Sequence, residues 1–234
     1  MKAMILAAGL GTRMRPLTDT CPKPLLKAAG KPLIDYHLER LAEAGVRDVV
    51  VNASWLAEQL QDYLGDGSRY GLSLHLSREA EPLETAGGIV QALPLLGYEP
   101  FLLVNGDVWT DYPFAQLLTA TTAAQAGGAH LVLIDNPPHH PEGDFLLRDG
   151  LIGESDDSGE GTRLTYSGIS VWHPRCFAGL DAGRRALKPI MLEAMARQQL
   201  SGEYFAGRWW DIGTPQRLAQ LDTLLREEAA NALG

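Results

Sequence analysis

Residues 3–13 read Ala-Met-Ile-Leu-Ala-Ala-Gly-Leu-Gly-Thr-Arg, and this stretch decides the fold. Its first six residues are all apolar, which is typical of a strand that is covered on both faces. The strand breaks at Gly9 and Gly11, and glycine backbones adopt conformations that other residues avoid. The stretch therefore predicts a buried strand followed by a tight loop, the opening unit of an α/β protein.

The rest of the chain alternates between strand and helix patterns. Helices are predicted at Leu33–Ala44, Leu56–Leu64, Ala86–Leu93, Phe114–Ala126 and Pro189–Gln199, with a last helix after Thr214-Pro215. Strands are predicted at Val46–Asn52, Leu72–Leu76, Phe101–Val104, Ala129–Ile134 and Leu164–Trp172. Short hairpins and exposed loop are expected from Pro137 to Gly161. This order predicts a Rossmann-like α/β domain over residues 1–234, with a mixed, mainly parallel sheet and helices on both faces.

The composition is that of an ordinary globular chain. The 234 residues are 45% hydrophobic and 21% charged, and the net charge of −9 argues against a nucleic-acid or anionic-membrane partner. Two cysteines form no metal or disulfide framework. An apolar run near the N-terminus is short for a signal peptide, and no run approaches the ~20 residues of a membrane span. We therefore expect a cytoplasmic protein, and no feature indicates an obligate protein partner.

The charge is unevenly distributed along the chain. Residues 1–31 contain six basic residues and one acidic residue, a net charge of +5, so the remainder carries −14. This basic segment includes the glycine loop, where Thr12, Arg13 and Arg15 add donors to the flexible backbone. Ligands of open α/β sheets bind beyond the carboxyl ends of the strands, so the loop is a candidate phosphate site. The two glycines by themselves are equally consistent with a simple chain turn that binds no ligand.

Neither of two common glycine motifs matches this loop. A P-loop requires Gly-x-x-x-x-Gly-Lys-Ser/Thr, and a dinucleotide fingerprint requires a third glycine that opens directly into a helix. Here the glycines are followed by Met14 and Pro16. A dinucleotide oxidoreductase is excluded on this ground, and because the ribose-binding acid is missing at its expected place.

Longer motifs resemble a known family. They are Leu6–Thr18 followed by Pro22-Lys-Pro-Leu-Leu26, Glu81-Pro-Leu-Glu-Thr-Ala-Gly-Gly88, Val104-Asn-Gly-Asp107 and Trp210-Asp-Ile-Gly-Thr-Pro215. Together they resemble the sugar-1-phosphate nucleotidyltransferases over most of the chain. The resemblance implies a three-layer α/β/α nucleotidyltransferase fold, with a nucleotide-binding part at about residues 1–110 and a sugar-binding part at about 111–234. The implied substrates are a nucleoside triphosphate and a sugar 1-phosphate.

The resemblance also implies roles for individual residues. Arg13, Lys23 and Asp107 are the expected catalytic residues, and Asp107 with Asp211 would hold Mg²⁺, which prefers carboxylate oxygens. The expected nucleotide-binding residues are Ala8, Gly9, Gly11, Thr12, Arg13, Lys23, Glu81, Ala86, Gly87 and Gly106. The expected sugar-binding residues are Asn105, Gly143, Asp144, Glu154 and Ser167. No general base is expected, because the nucleophile is an ionised phosphate; positioning and electrostatic stabilisation suffice.

Several features leave alternatives open. Asp107 could be a solvated acid at a strand end, and Asp211 could serve the helix that follows it. Glu81 suits uracil N3–H, but a carboxylate suits guanine at least as well. The sugar phosphate lacks an obvious local lysine, so Lys188 and Arg208 are candidates that could also be surface charges.

Two conspicuous pairs are interpreted as structural. His139-His140 is expected to lie in an exposed loop rather than in a metal site. Trp209-Trp210 is expected to support the Asp211 segment by packing rather than to stack on a base.

The resemblance is strongest to short bacterial members that transfer a uridylyl group from UTP to N-acetylmuramic acid α-1-phosphate, in cell-wall sugar recycling. One alternative keeps the chemistry with mannose and GTP, or with glucose and UTP or dTTP. A second is a non-catalytic nucleotide-sugar sensor, against which the joint presence of Arg13, Lys23, Asp107 and Asp211 argues. Because the chain ends soon after its last helix, no β-helical extension and no acetyltransferase activity are expected.

Overall fold

Strands and helices alternate along the chain as the sequence predicts. The computed structural model describes residues 1–119, 123–153 and 161–232. The strands are β1 Lys2–Leu6, β2 Lys27–Ala28, β3 Lys31–Pro32, β4 Asp48–Ala53, β5 Ser73–Arg78, β6 Phe101–Asn105, β7 Val108–Thr110, β8 Ala129–Ile134, β9 Phe145–Arg148, β10 Leu151–Gly153, β11 Thr162–Trp172, β12 Leu200–Tyr204 and β13 Trp209–Asp211. The α-helices are α1 Leu33–Glu43, α2 Ala57–Leu64, α3 Glu84–Leu96, α4 Ala115–Thr119, α5 Lys188–Ala196 and α6 Pro215–Asn231.

Nine of these strands form one mixed sheet in the order β5-β4-β1-β6-β11-β8-β12-β10-β9. The strands β5, β4, β1 and β6 are parallel, whereas β11 runs antiparallel to both β6 and β8. Ile169 of β11 lies opposite Val104 of β6, so the first half of β11 extends past the carboxyl end of β6. This extension forms a wall above the edge of the sheet where ligands of α/β proteins bind.

The first strand contributes to two hydrophobic cores, as an entirely apolar strand requires. Side chains alternate between the faces of a strand. Ala3 and Ile5 belong to the core that includes the inner faces of α1 and α2, and Met4 belongs to the opposite core with α3 and α5. This confirms the sheet with helices on both faces.

A third, smaller core supports the loops of the site. It joins Met14 from the glycine loop, Trp109 from β7, Ile212 after β13, and Leu218 and Leu221 from α6. The side chain of Thr214 accepts a hydrogen bond from the Arg217 N–H at the start of α6, which confirms the predicted cap. The third core thus ties the N-terminal and C-terminal segments together beneath one end of the sheet.

The structure adds four short strands, β2, β3, β7 and β13, to the predicted elements, and two longer elements also differ from the predictions. The helix predicted from Phe114 to Ala126 is α4, which ends at Thr119 before the undescribed residues 120–122; beyond them, turn hydrogen bonds to Ala123 and Ala124 replace helical ones. The strand β12 is not evident from the sequence. Its residues are Leu-Ser-Gly-Glu-Tyr, and a strand with a central glycine and a glutamate has a weak apolar pattern. The structure requires glycine at position 202, because a Cβ there would lie 2.6 Å from Ile152 Cδ1.

None of the helices in the described ranges is both long and apolar enough to cross a membrane.

Candidate active site

The carboxyl ends of β1 and β6 open into a cleft with a volume of about 440 Å³. This is the edge of the sheet where parallel strands of α/β proteins meet their ligands. Most of the expected nucleotide-binding residues line it: Ala8, Gly9, Gly11, Thr12, Arg13, Lys23 and Gly106. The structure therefore brings the first loop, the Pro-Lys-Pro segment and the end of β6 to one place.

One side of the glycine loop packs against the protein interior, and the other side faces the cleft. Gly11 has φ of 63°, and a Cβ there would lie 2.8 Å from Thr18 Cγ2, so both the conformation and the space require glycine. The Thr18 hydroxyl donates to the Gly11 carbonyl over 2.7 Å, and Met14 is fully buried. Thr12 and Arg13 between them are exposed and face the cleft.

The strands β1 and β6 approach each other closely where they enter the cleft. The Gly106 N–H donates to the Leu6 carbonyl over 2.9 Å, and a Cβ at Gly106 would lie 2.6 Å from that oxygen. A larger residue would force the strands apart. Gly106 thereby fixes its neighbours Asn105 and Asp107 at the mouth of the cleft.

Only part of the basic N-terminal segment faces the cleft. Arg13 and Lys23 line it, whereas Arg15 is paired with Asp19 and Lys31 is paired with Glu39 of α1. Lys23 lies in the turn between two prolines, and its ammonium is 2.8 Å from Asp107 Oδ2. Its side chain is only 12% exposed, so this charge is held rigidly against the end of β6.

The two acids expected to bind metal lie at two paired strands, because Asp107 immediately precedes β7 and Asp211 is the last residue of β13. Asp211 ends β13, where it pairs with Val108 of β7, and the Ile212 N–H donates to the Asp107 carbonyl over 2.8 Å. Asp107 and Asp211 also line one shared cavity of about 360 Å³ beside the cleft. Arg217 of α6 forms an ion pair with Asp211.

These residues fit a magnesium ion that binds together with substrate. Within residues 1–119, 123–153 and 161–232, no three His, Cys, Asp or Glu side chains are grouped as a metal site. Mg²⁺ is commonly bound by one or two carboxylates, with water and substrate phosphates completing its coordination. The two aspartates beside a phosphate-binding loop match that donor set, which differs from a closed protein-only site.

The histidine pair is closer to the site than the sequence suggests. His139 and His140 do lie in a loop and are 40% exposed, but His139 Nε2 is 3.4 Å from Asp211 Oδ2 and His140 Nε2 is 3.2 Å from Asp144 Oδ1. The predicted exposed loop is confirmed, and the structure adds a contact between each histidine and an acid that lines the cavity. His139 approaches an acid 72 positions away, a contact that no local pattern could indicate.

The expected sugar-binding residues lie around Asn105. This residue lines the cleft and both adjoining cavities, and it is packed against Gly168, where a Cβ would lie 2.7 Å from Asn105 Nδ2. Asp144 lines both cavities, and its Oδ2 accepts the Tyr166 N–H over 2.9 Å. Gly143, next to it, is buried against Asn136 and has φ of 61°.

Ser167, another predicted sugar-binding residue, lines the cavity that Asp107 and Asp211 share, but its hydroxyl is used within the protein. The Ser167 hydroxyl donates to the Val132 carbonyl and accepts the Ile169 N–H, so it is already satisfied within the protein. Glu154 lies outside the described residues. Arg208, a candidate for the sugar phosphate, is instead paired with Asp111 and Glu228.

Glu79 and Glu84 line the cleft, whereas Glu81 does not. Glu81 is exposed, whereas Glu79 is 5% exposed; its Oε1 accepts from Asn52 Nδ2 over 2.7 Å, and Oε2 accepts the Leu83 N–H. Asn52 in turn accepts the Ala7 N–H over 2.6 Å, which links the base of the cleft to β1. Asn52 and Glu79 lie at the carboxyl ends of β4 and β5. Their positions after apolar strand patterns are the sequence signal that could have identified them as residues of the cleft.

The expected contacts from Ala86 and Gly87 also need correction. Both residues are buried, and their N–H groups donate to the Arg185 carbonyl over 2.9 and 3.1 Å. These donors are used inside the protein, because the chain before α5 packs against the start of α3. Glu84 and Thr85 line the cleft at this point instead.

Burial sets the charge of two aromatic side chains near the site. His37 on α1 lies fully buried against the Asp107-Val108 segment, and burial lowers its pKa to about 4, so it is neutral at pH 7. Burial also raises the pKa of Tyr166 far above its ordinary value, and its hydroxyl is 2.7 Å from Ser170 Oγ. Tyr166 therefore offers the cavity a neutral ring.

The two tryptophans of β13 have the structural role that the sequence predicts. Trp209 Nε1 donates to the Ser167 carbonyl over 2.7 Å, and Trp210 packs against the third core. They fix Asp211 between β11 and α6. Cys21 and Cys176 are both free thiols.

The fold and the cleft define an enzyme class that binds anionic, phosphate-containing substrates at the edge of a mixed α/β sheet. The family model described as "Nucleotidyl transferase" matches residues 2–145, more than half of the chain. The chain belongs to this nucleotidyltransferase family.

Similar proteins extend over nearly the full length. The chain is 52% identical over 228 residues to N-acetylmuramate alpha-1-phosphate uridylyltransferase of Neisseria meningitidis, covering 96% of this chain and 98% of that one. It is 35% identical over 235 residues to the protein of the same name from Caulobacter vibrioides, with 96% and 97% covered. The solved structure of UDP-glucose pyrophosphorylase with UDP-glucose has a TM-score of 0.77 at 18% identity, covers 97% and 98%, and confirms the fold alone.

Proposed function

We propose that this enzyme transfers the uridylyl group of UTP to N-acetylmuramic acid α-1-phosphate. The observation that carries this proposal is the 52% identity, over 96% of the chain, to a protein named for that activity. The reaction gives UDP-N-acetylmuramic acid and pyrophosphate. A phosphate oxygen of the sugar 1-phosphate forms a bond to the α-phosphorus of UTP, and the bond from that phosphorus to the β-phosphate bridge breaks.

The triphosphate would bind in the cleft above β1. The glycine loop offers backbone N–H groups, and Arg13 and Lys23 supply the positive charge that two anionic reactants require. Arg13 contributes a planar fork for phosphate oxygens, and Lys23 contributes a compact charge next to Asp107. Stabilisation of charge on the reacting phosphates is the main task, because the nucleophile needs no deprotonation.

Asp107 and Asp211 would hold Mg²⁺ in this enzyme. The ion, when bound, neutralises phosphate charge and orients the phosphates for in-line displacement. The chain's own contribution is to hold the two carboxylates close together, one just before β7 and the other at the end of β13. Lys23 and Arg217 keep the acids compensated, because an isolated, partly buried carboxylate would be costly.

The sugar 1-phosphate would lie between Asn105 and the first half of β11. Asn105 faces the cleft and both cavities, and Asp144 offers acceptors for sugar hydroxyls. The sugar would then lie beside Asp107 and Asp211, the two proposed metal ligands. Glu79 is the proposed residue for recognition of the base, in place of Glu81.

The proposal is tested by pyrophosphate release. Each nucleoside triphosphate is paired with the 1-phosphates of N-acetylmuramic acid, N-acetylglucosamine, glucose and mannose, with and without Mg²⁺. We expect the highest kcat/KM with UTP and N-acetylmuramic acid 1-phosphate, and no turnover after chelation. A preference for a hexose without the lactyl ether would refute the substrate assignment, and absence of turnover with every pair would favour a sensor.

A further inference from the structure

A second cavity of about 440 Å³ adjoins the cleft and shares Asn105 with it. Its wall is largely apolar, with contributions from Phe145 at the start of β9 and from Leu187 and Met191 around the start of α5. Lys188, the first residue of α5, lies at its edge. Glu84 and Asp144 also line the cavity, and Lys188 is the cation beside its apolar wall. An apolar wall with one cation suits a small ligand group that has an apolar part and an acidic part.

The charges around this cavity leave Lys188 available. Glu84 is paired with Arg184 over 2.8 Å, and Asp144 accepts the Tyr166 N–H and contacts His140. Lys188 is the sole cation among the described residues that line the cavity, and it is exposed. A cation in the first turn of a helix opposes the helix dipole, so this charge does not stabilise α5.

The other adjoining cavity is unsuited to an acidic ligand group. It is lined by three acids, Asp107, Asp144 and Asp211, of which only Asp144 also lines the cavity beside α5. His139 and His140 line it too, but each already contacts one of these acids, and Asp107 and Asp211 are the proposed metal ligands. A carboxylate entering there would meet like charges. An acidic group on the sugar is therefore expected to occupy the cavity at the start of α5 instead.

We propose that Lys188 binds the lactyl carboxylate of the sugar substrate, with Leu187 and Met191 against the lactyl methyl group. This inference rests on the proposed function and makes Lys188 the residue that selects the lactyl ether. The reacting phosphate must approach Asp107, which lines the cleft but not this cavity. Lys188 thus contacts the opposite side of the sugar rather than its phosphate.

The test compares two sugars that differ only in the lactyl ether. The ratio of kcat/KM for N-acetylmuramic acid 1-phosphate to that for N-acetylglucosamine 1-phosphate is measured with UTP for the wild type, Lys188→Met and Lys188→Arg. We expect Lys188→Met to lower this ratio about tenfold, as for loss of one charge-assisted hydrogen bond, and Lys188→Arg to restore part of it. Arg197→Met, just beyond the other end of α5, is the matched control and is expected to keep the wild-type ratio.

The outcomes separate this inference from the proposed function. If the wild type does not prefer the lactyl sugar, the proposed function fails and the inference fails with it. If the wild type has the preference and Lys188→Met retains it, only the inference is overturned. An equal loss with both sugars would assign Lys188 to the sugar phosphate, which also overturns it.

Discussion

The two halves of the site are built in different ways. The triphosphate half takes its loop and both cations from one continuous segment, residues 8–23. The sugar half gathers Asn105 after β6, Asp144 before β9, Gly168 within β11 and Lys188 on α5. The first half therefore depends on local backbone geometry, and the second depends on how the extended β11 packs against β6.

Asp107 lies where the two halves meet, so its loss should have the largest effect. Asp107→Asn removes a charge that Mg²⁺ requires and leaves Lys23 without its partner. We expect kcat to fall about a thousandfold, which is at the upper end of the effect of removing one preorganised electrostatic group from an active site. The circular dichroism spectrum should stay unchanged, because the substitution keeps the size of the side chain. Asp135→Asn, which alters an exposed acid paired with Tyr204, should retain activity. Unchanged turnover in Asp107→Asn would remove it from the metal site.

Lys23 tests the triphosphate half by itself. Lys23→Met keeps much of the side-chain volume but removes the charge beside the reacting phosphates. We expect kcat to fall about a hundredfold, whichever sugar is used. The control is Lys27→Met, an exposed lysine of the same basic segment. A loss that differs between sugars would show that the halves are not separable at Lys23.

Most of the triphosphate half could be predicted from the sequence. The apolar strand, the two glycines and Lys23 lie within 21 residues, and each acts through its own backbone or charge. The sequence-based assignment of base recognition to Glu81 is wrong about which acid lines the cleft, because no local pattern shows which of two nearby acids points inward. Burial beside Asn52 decides that choice, and burial is a tertiary property.

The sugar half was predicted less well, for a physical reason. The proximity of His139 to Asp211 depends on the pairing of β7 with β13 and on the path of a loop between distant strands. The predicted nucleotide contacts of Ala86 and Gly87 fail for the same reason, because the Arg185 carbonyl, in the chain before α5, accepts their N–H groups. Such contacts arise from packing between segments, which periodicity and spacing do not encode.

Arg217 should affect the metal more than either substrate. It forms an ion pair with Asp211 from the start of α6, so Arg217→Gln leaves that carboxylate less well oriented. We expect about a tenfold higher Mg²⁺ concentration at half-maximal rate, within the range for residues that orient metal ligands. Arg226→Gln removes a surface pair on the same helix and serves as the control. An unchanged Mg²⁺ requirement would show that Arg217 does not position Asp211.

Gly168 tests the sugar half with a smaller effect. Gly168→Ala would place a Cβ 2.7 Å from Asn105 Nδ2 and displace that side chain. We expect about a fivefold higher KM for the sugar 1-phosphate and little change in the KM for UTP, equivalent to ~1 kcal/mol. Gly71→Ala, also at positive φ but with open space around it, controls for backbone strain. Equal changes in both KM values would contradict separate halves.

The most direct test of the central claim is to follow label from UTP into the products. With label in the α-phosphate, the account predicts that it appears in UDP-N-acetylmuramic acid; with label in the γ-phosphate, it appears only in pyrophosphate. Both products should form in equal amounts and require the sugar 1-phosphate. Label from the γ-phosphate in the sugar product, or release of UMP without a nucleotide sugar, would contradict uridylyl transfer.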